Sequence, residues 1–142
     1  MYEKRLQENP FMTNSKFLQE FKEETELDRI LKFLTVPGRS GIYISRIEIQ
    51  KLAKAIGVDV PVKERREMLK DIFIYAKQMN KTIDLLNTII DFIDYKISQY
   101  KEVEDNFPSS KVITERWIKK AEKAKAIVEN MRKEAELLKD IY

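Results

Sequence analysis

From Leu69 to Tyr100 apolar residues recur at spacings of three and four without a miss: Leu69, Ile72, Ala76, Met79, Ile83, Leu86, Ile90, Ile93, Ile97 and Tyr100. A heptad seam of that length requires long helices that bury one edge against another helix. A second series closes the chain, with Trp117, Ala121, Ala124, Val128, Met131, Ala135, Leu138 and Tyr142. Asn106-Phe107-Pro108-Ser109 lies between the two as a turn, with Ser109 or Ser110 as the cap of the last helix. A short loop makes two long helices antiparallel neighbours. Folding there sets Ile93 near Ala121, Ile90 near Ala124, Leu86 near Val128 and Ile83 near Met131. Met79 then faces Ala135 and Ala76 faces Leu138, so large residues repeatedly meet small ones. The expected fold class is all-α: a long antiparallel helical hairpin, coiled-coil-like, with short N-terminal helices packed at the end remote from residues 106–109.

Composition narrows function mainly by exclusion. The 142 residues are 43% apolar and 36% charged, the balance of a folded helical chain rather than a disordered one. Basic and acidic residues number 27 and 24, and a net charge of +3 demands neither a nucleic-acid nor a membrane partner. Histidine and cysteine are both absent. Imidazole-based triads, the usual zinc sites, Glu-x-x-His di-iron sites and disulfides are therefore closed to this chain. Neither a catalytic residue, a metal ligand nor a cofactor site is expected. Met1 to Pro10 are polar and charged, so no signal peptide is expected. No apolar run approaches the ~20 residues that span a bilayer, and a cytoplasmic location is the default expectation.

The chain divides into an arm at 1–14, short helices at 15–57, and the hairpin at 61–105 and 110–142, all read as one domain. Near Thr25 and Asp28 a helix restarts with a capping-box pattern, burying Leu27, Ile30, Leu31 and Leu34 before Pro37. Pro37-Gly38-Arg39-Ser40-Gly41 reads as a loop. Ser45 caps the next helix, Glu48 completes the capping box, and Gly57 supplies a left-handed stop. Pro61 suits the first turn of the following helix. Neither Gly nor Pro falls between there and about Asp105, so one helix of about 65 Å fits at ~1.5 Å per residue, with a break near Asn80 as the alternative.

Each long helix carries more apolar surface than one seam uses. Tyr75, Leu85, Ile89 and Phe92 form a second stripe, and Ile113, Ile127 and Ile141 flank the last seam. Either the N-terminal helices or a second subunit must cover them. A homodimer through Tyr75, Leu85, Ile89, Phe92, Ile113 and Ile127 is the expected interface.

A different reading places a helix-turn-helix at about 47–70. Ala53 and Gly57 have the spacing of its close-packed pair, and Lys63, Arg65, Arg66 and Lys70 would face phosphates and base edges. Glu64 and Glu67 dilute that charge. The glycines around Arg39 lack a Gly-Lys-Ser/Thr ending and are turn chemistry rather than a phosphate loop. Asp84 and Asp91 read as a solvated face, and the basic run from Arg116 to Lys125 as partner to the acidic helix across the loop. Two functions therefore stand. The favoured one is a non-catalytic protein-interaction or assembly module, its partner another protein or a second copy of the chain. The alternative is a DNA-binding regulator whose long helices dimerise.

Overall fold

The structure, a computed structural model, describes residues 27–141. The expected arm at 1–14, the helix from Asn14 or Ser15 and the Thr25 cap lie outside the described residues. By its internal contacts the chain divides into Met1–Ile30 and Leu31–Tyr142, and of the first unit only residues 27–30 are described. The fold is all-α, with no strand among the described residues. A helix over residues 27–35 (α1) is followed by α2 (Pro37–Ser40), α3 (Arg46–Ala55), α4 (Arg65–Gln78) and α5 (Thr82–Asn106). A 3-10 turn at Pro108–Ser110 then leads into α6 (Lys111–Ile141).

Local chemistry explains most boundaries. At α3 the Ser45 hydroxyl accepts the Glu48 backbone N–H at 3.2 Å, and the Glu48 carboxylate accepts the Ser45 N–H at 2.9 Å. Each satisfies a donor that the first helical turn leaves without a partner. The other end closes in a Schellman motif: Val58 N–H donates to Ala53 O at 2.9 Å and Gly57 N–H to Lys54 O at 3.0 Å. Gly57 holds the required left-handed backbone at φ 80.

The continuous long helix expected over 61–105 is not formed. Residues 61–64 precede α4, so Pro61 lies outside it. The remainder is cut in two by a second Schellman motif. Lys81 N–H donates to Ala76 O at 2.7 Å, Asn80 N–H donates to Lys77 O at 3.3 Å, and Asn80 takes φ 59. Asparagine is among the few residues with a side chain that tolerate this conformation. α4 thus folds back beside α3 and α5 instead of extending α5, burying Met68, Leu69, Ile72 and Ala76 in the core.

α5 and α6 form the expected antiparallel hairpin. Polar pairs step along it in opposite directions: Glu104 accepts from Thr114 at 2.6 Å, Asp94 meets Lys125 at 2.8 Å, and Asn87 accepts from Arg132 at 3.0 Å. Leu86, Ile90, Ile93 and Ile97 are buried on α5, and Ala121, Ala124 and Val128 on α6, as the heptads imply. The last helix departs from expectation at both ends. Near the loop Thr114 and Ile118 are buried while Trp117 is only half-buried. At the far end Leu138 is exposed, because the break at Asn80 turns Ala76 and Met79 away from the positions that would have covered it. Ser110 donates its hydroxyl to Phe107 O at 2.7 Å and closes the 3-10 turn.

The short helices are not confined to the end remote from residues 106–109. Lys81 donates to Ile56 O at 2.9 Å at the start of α5, and Lys96 pairs with Glu48 at 2.9 Å farther along. Residues 38–41 reach α6 itself, where Lys120 donates to Gly38 O at 2.8 Å. The expected loop at Pro37–Ser40 is one helical turn, begun by Pro37 and ended by Gly41 at φ 78.

Candidate interaction surface

The second apolar stripe does not present the interface expected of it. Leu85 and Ile89 are 0% and 1% exposed, covered within the chain on the side of α5 where α3 and α4 pack. Phe92 is half-buried, with the Lys96 ammonium 5.2 Å from its ring centre. Tyr75, Ile113 and Ile127 remain exposed, on different parts of the surface. Periodicity requires that this stripe be covered but does not say by what. The fold-back at Asn80 supplies the cover from the same chain.

Lys63, Arg65 and Lys70 of the helix-turn-helix reading are engaged within the fold. Residues 56–64 separate α3 from α4, far more than the three or four residues of that motif's turn. Arg65 donates to Ile44 O at 2.8 Å and to Thr35 O at 2.9 Å, and its guanidinium lies 4.5 Å from the Tyr43 ring centre. Lys63 pairs with Asp71 at 3.0 Å, and that hydrogen bond raises its pKa. The Nε of Arg66 is buried without a hydrogen-bond partner among the described residues. Lys70 has partners of its own within the structure. Arg65 works as a clamp between the end of α1 and the segment before α3, a role its place in a basic run conceals. A shallow pocket of about 270 Å³ beside it is lined by Tyr43, Ser45, Arg46, Ile47 and Arg65.

The Gly38–Gly41 segment is structural as well. The Ser40 hydroxyl is buried and bound to backbone at Ile42, 3.1 Å to the carbonyl and 3.3 Å to the N–H. The Tyr100 hydroxyl donates to Gly41 O, and burial raises the Tyr100 pKa. Among the described residues no group of three or more acidic side chains is placed to hold a metal ion, and no helix is long and apolar enough to cross a membrane.

The outer end of the hairpin is open. Val103, Phe107, Val112 and Ile113 are exposed there; Phe107 reaches 65% and Val112 74%. Beside them a groove of about 510 Å³ runs between the end of α5 and the start of α6. Val112 and Ile118 form its apolar lining. Its charged lining is balanced: Lys101, Arg116 and Lys119 against Glu104, Glu115 and Glu122. Farther along the hairpin Lys125 and Asp94 pair across the helices, and that hydrogen bond raises the Lys125 pKa. At the groove Lys101, Arg116 and Lys119 make no ion pair or side-chain hydrogen bond among the described residues, and Glu115 has only Lys111 at 3.9 Å. The sequence pattern assigned Arg116 and Lys119 to pairing across the hairpin. The signal it left unused is apolar: Phe107 and Val112 lie beside Ile113 around a turn, where no seam can use them. Compared with known proteins, the chain matches no family model, no curated protein and no solved structure.

Proposed function

We infer that the chain is a helical protein-interaction or assembly module that works without catalysis, through the outer end of its α5–α6 hairpin. The supporting observation is the exposed apolar group Val103, Phe107, Val112 and Ile113, held at the end of two long helices whose seam is closed from Ile97 to Leu86 and from Ala121 to Val128. Isolated apolar residues on a surface need no explanation, but four large ones around one turn carry a desolvation advantage that only a partner can realise. Because the hairpin is stiffened by its seam and by the clamps on α2 and α3, binding there loses little conformational entropy. The mixed charges around the group favour a protein over a phosphate backbone or an anionic membrane, each of which needs a surface of one sign.

Nuclease-treated extract of the native host, passed over the immobilised full chain and over a Phe107→Ser/Val112→Ser variant, tests this reading. Specific protein retained by the wild type and lost from the variant is the expected result. Equal retention by both, or retention of nucleic acid alone before nuclease treatment, would count against it.

A further inference from the structure

We propose that the groove at the outer end of the hairpin is an isologous interface in which two copies of this chain pair antiparallel through α6, about a twofold axis that passes between the two α6 helices at the level of residue 117. This assignment rests on the interaction-module reading and names its partner as a second copy. Charge complementarity carries it. The groove holds three basic and three acidic side chains, so a surface complementary to it has the same composition, and the chain itself supplies one. Along the outer face of α6, Val112, Glu115, Lys119 and Glu122 follow helical spacing, with Arg116 and Ile127 on its rim. An axis at the level of residue 117 places Glu115 of each copy opposite Lys119 of the other, forming the same pair twice. Arg116 then comes within reach of Glu122 of the other copy. Cations without an ion pair among the described residues of one chain thus gain partners in two. A single-sign partner would leave half of the groove's charges facing their own kind, which discriminates against it.

The test is a charge exchange read by sedimentation of the full-length chain. The wild type is expected to reach twice the mass of one chain at micromolar concentration. Glu115→Lys alone and Lys119→Glu alone should each weaken association at least about tenfold, because both symmetry-related pairs become like-charged. Mixing the two variants should restore a dimer, since each then supplies what the other lacks. Both positions are exposed, so helicity by circular dichroism should be unchanged in either variant. A wild type that stays monomeric overturns the proposal, as does a dimer indifferent to both reversals. Separate dissociation without restoration on mixing overturns the antiparallel pairing. A monomeric wild type that still retains a host protein through Phe107 and Val112 sinks self-pairing while leaving the interaction module standing.

Discussion

Gly41 lies so close to α6 that a β-carbon on it would come within 2.5 Å of the carbonyl oxygen of Trp117. The same atom would meet the Ala121 nitrogen at 2.8 Å, and Gly41 also holds φ +78. The obstacle is helix backbone, which cannot swing aside as a side-chain tip can. Through this approach and the Tyr100 hydrogen bond to Gly41 O, the turn after α2 is fastened to both arms of the hairpin.

Gly41→Ala is therefore expected to destabilise the fold by about 2–4 kcal/mol, combining a left-handed backbone with a backbone clash. Gly38→Ala is the internal control. A β-carbon on Gly38 would meet nothing within 4 Å, and the residue sits in a helical turn, so the change should be neutral or stabilising by up to about 1 kcal/mol. Urea unfolding of both variants checks the pair. Equal effects would show that Gly41 is not pressed against α6.

Arg65 holds two backbone carbonyls at once, those of Thr35 and Ile44. Replacing it with methionine leaves both acceptors without their charged donor and should cost about 2–4 kcal/mol. Arg65→Lys should recover only part of this, because an ammonium cannot reproduce the forked geometry. Thermal unfolding distinguishes this clamp from a surface role in binding DNA. A stability unaffected by Arg65→Met would remove the clamp.

Ile89→Asp should abolish the cooperative fold rather than separate subunits. Ile89 is 1% exposed, and a carboxylate there has no partner to offset its desolvation, a loss above about 4 kcal/mol. Ile113→Asp, on an exposed position, should leave unfolding within about 0.5 kcal/mol of wild type. Circular dichroism and sedimentation together separate unfolding from dissociation; a folded, helical Ile89→Asp monomer would contradict the burial of this stripe.

Glu48 links stability to pH. Burial pushes its carboxyl up, but the Ser45 N–H, Lys96 and the Ser45 hydroxyl together outweigh burial and hold its pKa below the ordinary value of 4.5. A carboxylate with a depressed folded-state pKa adds stability that is present above the unfolded value and is lost as pH falls through the folded one. Stability should accordingly decline as pH drops below about 4.5, and Glu48→Gln should flatten that part of the curve while lowering the plateau above it. Thermal midpoints measured across this range decide the matter. An unchanged acid slope in the variant would assign the acid loss to other carboxylates.

Much of the architecture was legible in the chain because its determinants are local or periodic. The Ser45–Glu48 capping box, the Gly57 stop and the seams through Ile90, Ile93, Ala121 and Ala124 each depend on residues a few positions apart. Asn80 was visible as a candidate break, yet helix continuation and a Schellman stop are close in local free energy. Packing decided between them: folding α4 back buries Met68, Leu69, Ile72 and Ala76, while continuing it would leave the Leu85–Ile89 face wet. The same decision covered that face from within the chain and turned Arg65 from an apparent ligand donor into a clamp. Helical periodicity states that a stripe must be buried, because water penalises it wherever it lies. Only the tertiary structure selects what covers it, since the candidates on offer differ in long-range contacts that no local spacing records.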